Sequence, residues 1–159
     1  MGLNSVQQLA KSITTGITSP LYRQPLATYI TPPNPGKLTG PAAYVWITQG
    51  NNRRQTAPRG YGFRSMDWTV NIWLMCPGNA TDPNADSAFA SMVDAIIEAW
   101  VTTPMPIAIT DPVSGRTSQV VAIGERFSVQ QSPVHALQDQ RLLMYEALFE
   151  FTVEEKPQP

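Results

Sequence analysis

The stretch that decides the fold is Arg64-Ser-Met-Asp-Trp-Thr-Val-Asn-Ile-Trp-Leu-Met75, in which apolar and polar side chains alternate. The apolar positions are Met66, Trp68, Val70, Ile72 and Leu74. The positions between them are small or polar: Ser65, Asp67, Thr69 and Asn71. A period of two residues is typical of a β-strand with one buried face. We therefore expect one long, half-buried strand here.

The strongest helix pattern of the chain follows this strand. Apolar side chains recur at steps of three and four, which predicts one buried stripe: Phe89, Met92, Val93, Ile96, Ile97 and Trp100. Asp82 and Pro83 predict the start of the helix, with the carboxylate as N-cap and the proline at the first helical position. The helix is expected to end at 102–104, because Pro104 disfavours the helical conformation of the residue before it.

Further elements are predicted on both sides of this unit. In chain order they are an amphipathic helix at 3–16, an extended piece at 26–31, a strand at 43–49, a hairpin loop at 50–62, a short strand at 105–110, a turn at 111–115, a strand at 118–131 with a bulge at Gly124, a loop at 132–139 and a long strand at 141–153. In the strand at 118–131, Val121, Ile123, Phe127 and Val129 are expected on the apolar face. These elements predict an α+β domain: a largely antiparallel sheet with long strands, packed on one face by the N-terminal and central helices.

The chain is expected to form a single domain over residues 1–159. This length suffices for a substantial core. Residues 18–42 hold six prolines and are expected to form an exposed turn or arm, and residues 154–159 a loose tail.

Charge is scarce and unevenly distributed. Only 14% of the residues are charged, against about 25% in an average domain, so the surface is expected to be covered by uncharged polar residues and proline or by other subunits. Residues 1–66 hold seven Lys or Arg and no acid, whereas residues 67–159 hold four Lys or Arg and twelve acids. Such segregation favours head-to-tail contacts between copies, unless the two halves interleave in space and the field averages out.

No catalytic or cofactor motif is present. A single histidine, His135, and a single cysteine, Cys76, cannot supply a zinc site, and nothing around His135 indicates a nucleophile. We therefore expect no enzyme activity, no metal and no cofactor. The sequence begins without a signal-peptide pattern and has no membrane-length apolar run, which predicts a soluble protein made in a reducing cytoplasm.

The hairpin loop carries the one distinctive cluster of side chains. Four arginines are interleaved with two aromatic residues, and these six positions are the candidate interface: Arg53, Arg54, Arg59, Tyr61, Phe63 and Arg64. Arginine suits ion pairs at protein interfaces, and arginine with aromatic residues also suits phosphates and stacked bases. A protein partner, a nucleic acid and a merely solvated loop all remain open.

The order of these elements resembles the tail terminator (tail completion) proteins of long-tailed bacteriophages over residues 43–153. The resemblance lies in the opening amphipathic helix, the hairpin with a basic loop, the strand that ends in a Pro-Gly turn at Gly78, the helix after Asp82 and Pro83, and the two long closing strands. It implies a homo-hexameric ring in the virion tail or neck, assembled in the host cytoplasm. Such a ring would cap the tail tube and end its polymerisation.

The resemblance also implies partners. The tail tube protein would bind one rim and the head–tail connector or stopper protein the other, with genomic DNA passing through the lumen. The strands at 64–75 and 141–153 could lend an edge for pairing between subunits. Two alternatives stay open: a head-closure or connector-adapter protein, and a nucleic-acid-binding module that uses the arginine loop.

Overall fold

The computed structural model describes residues 3–22, 24–56, 62–79, 82–136 and 142–157; at 52–56, 62–64, 79, 124–126, 135, 136, 142 and 157 it describes the backbone only. This part of the chain contains two α-helices and six β-strands. They are α1 (Leu3–Thr14), β1 (Ala27–Tyr29), β2 (Ala42–Thr56), β3 (Gly62–Asn79), α2 (Ala85–Val101), β4 (Ile107–Thr110), β5 (Thr117–Ala136) and β6 (Leu142–Pro157). One turn of 3-10 helix spans Pro35–Lys37.

The six strands form one sheet in the order β1-β2-β3-β6-β5-β4. β1 is parallel to β2, and every other neighbouring pair is antiparallel. Two helices with a mostly antiparallel sheet confirm the predicted α+β class. The order also places β3 and β6 in the middle of the sheet. The expectation that these two long strands lend a free edge is therefore wrong, because each already has a neighbour on both sides.

The main hydrophobic core lies on one face of the sheet. The even-numbered side chains of β3 from 68 to 76 and the odd-numbered side chains of β6 from 143 to 153 contribute to it together with both helices. The predicted helix stripe is confirmed: Phe89, Met92, Val93, Ile96 and Trp100 are buried, and Ile97 is partly buried. The Trp100 ring stacks on Phe151 with 4.6 Å between centroids, and its indole N–H donates to Thr14 Oγ1 at 3.3 Å. That hydrogen bond joins α2 to the end of α1.

The start of α2 differs from its prediction. The helix begins at Ala85 with Asn84 as N-cap, and Asn84 makes no side-chain capping bond. Asp82 instead accepts a hydrogen bond from the backbone N–H of Asn84 at 2.9 Å, which closes a local turn before the helix. The Asp-Pro pair thus marks the turn that leads into the helix. The predicted end is confirmed, because the N–H of Thr102 closes the last turn on the carbonyl of Glu98.

The proline-rich segment 18–42 is integrated into the domain. Leu26 is 2% exposed, and its N–H donates to the carbonyl of Ile17 while its own carbonyl accepts from Gly16. The predicted extended piece is confirmed as β1, which pairs with the first residues of β2. Gly36 and Lys37 in the turn at Pro35–Lys37 are exposed, as are several other residues of the segment.

Three predicted irregular segments are strand instead. β2 and β3 continue through most of the predicted hairpin loop, with pairing as far as Thr56 and Gly62. β5 continues through residues 132–136 of the predicted loop, while residues 137–139 lie outside the described part of the chain. β6 continues to Pro157, so the expected loose tail is wrong: residues 155–157 pair with β5, and Glu155 is 0% exposed.

The predicted alternation in β5 is also partly wrong. Val120 is fully buried in the core, whereas Val121 is only partly buried. Ile123, Phe127 and Val129 pair with core residues of β6 and lie on the predicted face, although Phe127 is 44% exposed. The register of β5 against β6 shifts by one residue between Val120 and Ala122, which exchanges the two faces, and by two residues between Ile123 and Phe127, which does not. The second shift spans Gly124, where a bulge was predicted.

Candidate subunit interface

The predicted arginine loop is largely a two-stranded ribbon. Arg53, Arg54 and Arg64 occupy ladder positions of β2 and β3, and Phe63 pairs with Gln55. The other two candidates, Arg59 and Tyr61, lie outside the described residues. We call residues 49–69 the arginine hairpin.

The cross-strand register of the arginine hairpin places two like charges opposite each other. Arg54 pairs directly with Arg64, and residues 49–66 contain no acidic residue. Like charges at directly paired positions destabilise an antiparallel ladder. A negatively charged group close to these two positions would relieve this repulsion.

The arginine hairpin extends past the last pair between β3 and β6. The pairing of β3 with β6 ends at Met66 and Glu155, whereas the pairing of β3 with β2 continues to Gly62. Four further residue pairs at about 3.4 Å each give a ribbon that extends about 14 Å past the last β3–β6 pair. The arginines are therefore carried at one end of the sheet.

A buried polar cluster holds the base of the arginine hairpin. The Trp68 indole N–H donates to Glu155 Oε1 at 3.1 Å, and the Ser118 hydroxyl donates to Glu155 Oε2 at 2.6 Å. These bonds tie β3, β6 and β5 together through one carboxylate that is 0% exposed. From β2, Gly50 lies against the Trp68 ring so closely that a Cβ at Gly50 would lie 2.6 Å from it.

Sequence reasoning missed Glu155 because the chain after Val153 was expected to be loose. The signal was present, since the alternation of β6 continues from Phe151 through Val153 to position 155. A charged residue at that place looked like the end of the strand. Its two hydrogen-bond donors come from residues 37 and 87 positions away, which no local pattern reveals.

The sheet face opposite the helices is the second notable surface, and we call it the outer face. One cross-strand row on it is largely aromatic and runs through four strands: Tyr29, Tyr44, Trp73 and Leu148. We call this row the aromatic row. Trp46 lies beside it, stacked on Tyr44 with 4.8 Å between ring centroids. The side chains of the row are partly buried or exposed, so their apolar surface still reaches solvent.

A row of carboxylates runs through the same face along β6. Glu146 and Glu150 flank Leu148, and Glu154 lies further along the strand, where its carboxylate is 3.4 Å from the Lys156 ammonium. Glu150 is exposed, and Glu146 and Glu154 are half-buried. We call these three the acidic row. It gives the outer face a negative charge beside aromatic surface.

Each side of the sheet has an open edge. β1 covers only residues 42–44 of β2, and β4 covers only residues 117–120 of β5. Over the rest of their length, residues 45–56 of β2 and 121–136 of β5 have no outer neighbour among the described strands. Unpaired strand edges present free N–H and C=O groups to a second chain.

Parts of the two open edges lie at the same level along the strand direction. Through the intervening strands, Val45 of β2 is level with Val129 of β5, and Asn51 is level with Ala122. The covered ends lie at opposite ends of the sheet, which leaves this middle region open on both sides. The bulge of β5 falls within it, and residues 127–132 of β5 then continue in regular register.

The single cysteine and the single histidine both lie on strands of the sheet. Burial raises the pKa of the Cys76 thiol to about 12, so the thiol stays protonated at neutral pH. The backbone of His135 belongs to β5. No group of three His, Cys, Asp or Glu in the described part of the chain could hold a metal ion, and no helix there is long and apolar enough to cross a membrane.

Comparison of the sequence with protein-family models finds no match, and comparison with curated proteins finds none either.

Proposed function

We propose that this chain is a structural protein of the phage tail or neck that assembles into a ring, most specifically a tail terminator. The observation that carries the proposal is the pair of open strand edges on opposite sides of one sheet. Two different edges allow head-to-tail contacts, which close into a ring when successive rotations add up to a full turn.

Strand direction supports this head-to-tail arrangement. Three antiparallel pairings separate β2 from β5, so the two edge strands run in opposite directions. Rotation about an axis parallel to the strands preserves these directions. β5 of one copy would then meet β2 of the next as an antiparallel pair, the pairing that already dominates the sheet.

Charge favours the same contact. The cationic residues 1–66 supply β1, β2 and the beginning of β3, while the acidic residues 67–159 supply β4, β5 and β6. In the sheet order the strands of these two halves lie on opposite sides, while α1 of the cationic half packs against α2 and β4 of the acidic half. A basic side of one copy would therefore meet the acidic side of its neighbour, which is complementary.

In this ring the arginine hairpins of all copies extend from one rim. The family resemblance assigns the tail tube to one rim of a terminator and the head-side connector to the other. The arginine hairpin would bind a negatively charged partner at its rim. A head-closure or connector-adapter protein of the phage neck would fit the same geometry.

Native mass spectrometry of the purified chain tests the proposal. A single ring-sized species, together with detection of the chain in the tail or neck of purified phage particles by cryo-electron microscopy, is the expected result. A strict monomer at the highest soluble concentration that is also absent from particles would contradict it. Locating the ring in the particle separates a terminator from a head-closure protein.

The arginine hairpin favours one alternative of another class, a nucleic-acid-binding module. That alternative requires the chain to bind DNA with an affinity that falls steeply as the salt concentration rises. It also requires the double substitution Arg53→Ala and Arg54→Ala to make the affinity depend less steeply on salt concentration. Absence of binding at low salt removes the alternative and leaves the ring proposal standing.

A further inference from the structure

We infer that Phe127, at the open edge of β5, is the apolar anchor of the contact between copies and packs against Ile47 at the open edge of β2 in the next copy. The inference rests on the proposed ring and names the two side chains that would hold it together. It accounts for an aromatic side chain that continues the core of one copy out to solvent.

The core of one copy is incomplete at Phe127. The Phe127 ring lies on the helix side of the sheet, where its centroid is 5.8 Å from that of Phe151. Phe151 is 0% exposed and stacks in turn on Trp100, whereas Phe127 is 44% exposed. A single exposed apolar side chain is ordinary on a protein surface. This one differs because it extends an aromatic core cluster to an unpaired strand.

One cross-strand row connects the two open edges on the helix side of the sheet. Its members, from β2 to β5, are Ile47, Val70, Phe151 and Phe127. The two inner members are 0% exposed, whereas Ile47 at one end is partly buried and Phe127 at the other is exposed. In the proposed ring every copy stands at the same level along the strands, because rotation about an axis parallel to them does not shift it. Phe127 of one copy therefore meets Ile47 of the next, and the row continues from copy to copy.

The two open edges lack the charges that commonly protect an unpaired strand. Soluble proteins place Lys and other charged side chains on edge strands to prevent pairing with a second chain. Residues 45–52 of β2 and 127–132 of β5 contain no Lys, Arg, Asp or Glu. Both Ile47 and Phe127 lie within these uncharged segments. Depletion of charge is typical of the centre of a protein interface, which fits a second copy as the occupant.

Bulges at the same level explain why a large side chain is needed there. The register of β2 against β3 shifts between Ile47 and Gln49, and that of β5 against β6 shifts between Ile123 and Phe127. Both irregularities therefore adjoin the ends of the row. A bulge disrupts backbone pairing locally, so a regular ladder between copies would be interrupted at this level. Packing of the Phe127 ring would hold the contact across that interruption.

Substitution of the anchor tests the inference. Phe127→Lys should weaken self-association about tenfold or more in sedimentation velocity, because a charge replaces the central aromatic ring of the contact. Val113→Lys is the matched control, since it makes the same change of charge in the turn between β4 and β5, where Val113 is 82% exposed. The control should associate like the wild type. Thermal melts of both variants fix a temperature at which each is fully folded, and association is compared there.

A disulfide tests the same pair of positions without relying on a loss of association. Facing residues on neighbouring strands lie within the range of a disulfide, whose Cα atoms are about 4.4–6.8 Å apart. Under oxidation, Phe127→Cys mixed with Ile47→Cys should give covalent dimers, and a chain with both substitutions should give longer covalent ladders. Val113→Cys mixed with Ile47→Cys should give none. The native Cys76 is 0% exposed and does not compete.

Several results would overturn the inference, and they differ in what they leave standing. If rings form but Phe127→Lys associates like the wild type, Phe127 is not an anchor and the ring proposal survives. If association weakens but no disulfide forms with position 47, Phe127 contacts another surface and the pairing is wrong. Covalent dimers of Phe127→Cys alone would show two β5 edges meeting, which contradicts both the anchor and the head-to-tail ring. A monomeric wild-type chain would overturn both as well.

Discussion

At the scale of single residues, the contact between Gly50 and Trp68 is the closest in the base of the arginine hairpin. A Cβ at position 50 would approach the Trp68 ring at 2.6 and 2.8 Å and the Met66 methyl at 3.1 Å. The ring cannot yield freely, because its N–H is bonded to the buried Glu155. Only glycine fits there without displacing the indole.

Gly50→Ala should therefore destabilise the fold by about 1–3 kcal/mol, the usual cost of forcing extra volume into a packed site. Chemical denaturation followed by tryptophan fluorescence measures the loss. Gly36→Ala is the matched control, because a Cβ there meets only the Asn34 Oδ1 atom, at 3.4 Å. Equal stability of the two variants would show that the indole moves aside without cost.

Two buried acidic groups, the Cys76 thiol and the Tyr22 hydroxyl, predict a pH dependence of stability. Burial raises the pKa of the Cys76 thiol from 9.0 to about 12, and burial also raises the pKa of Tyr22 above its ordinary 10.0. The Tyr22 hydroxyl also donates to the carbonyl of Pro77 at 3.1 Å. Because the folded state holds these protons more tightly, their contribution is complete below the unfolded pKa values and is lost as the pH rises through the folded ones.

Urea unfolding should thus show constant stability from pH 7 to about 9 and a steady decrease from there towards about pH 12. Tyr22→Phe removes one of the two groups and should make the decrease shallower. A wild-type chain whose unfolding midpoint is unchanged at about pH 11 would contradict the assignment, because both groups would then titrate as in the unfolded chain.

At the scale of elements, α2 and the arginine hairpin have different roles. The helix packs its stripe into the core, where Ile96 is 0% exposed. The arginine hairpin extends past the last pair between β3 and β6. Its expected contribution is the positive charge of its arginines and not buried apolar surface. Substitutions in these two elements should therefore fail in different ways.

Ile96→Ala should cost about 2–5 kcal/mol by leaving a cavity and should abolish assembly through unfolding. Arg53→Ala with Arg54→Ala should leave the melting temperature equal or slightly higher, because the repulsion between Arg54 and Arg64 is removed, and should impair only joining to a partner. Melting curves with native mass spectrometry of both variants distinguish the two roles. Equal destabilisation of both would refute the division.

The elements also show where sequence patterns suffice. Single alternation or a single stripe governs β3 and α2, and there most of the buried apolar residues were predicted. In β3, Val70, Ile72 and Leu74 are buried as predicted, but Asn71 of the polar face is also buried, at 4% exposed. In β5 the register shifts move Val120 into the core in place of Val121. A shift of this kind depends on the neighbouring strand, so no window of the strand's own sequence contains it.

At the scale of the whole molecule, the class of fold followed from the order of elements, but the order of strands did not. Nothing local indicates that β3 pairs with β6 or that β1 is parallel to β2, because these pairings join distant segments. The arginines were predicted to be a candidate interface from composition alone, and that stays a prediction. The outer face was missed because Tyr44, Trp73 and Leu148 become neighbours only through that strand order.

In the proposed ring, assembly through the open edges of β2 and β5 would be unusually sensitive to defective copies. A subunit with a defect at one strand edge still has the other edge intact. It can therefore join an incomplete ring, but no further subunit can add to its defective edge. In a closed ring of six, one such copy in ten would leave only roughly half of the rings intact. Co-expression of a small fraction of edge-defective subunits should therefore have a dominant-negative effect. It should reduce the yield of intact rings by more than that fraction.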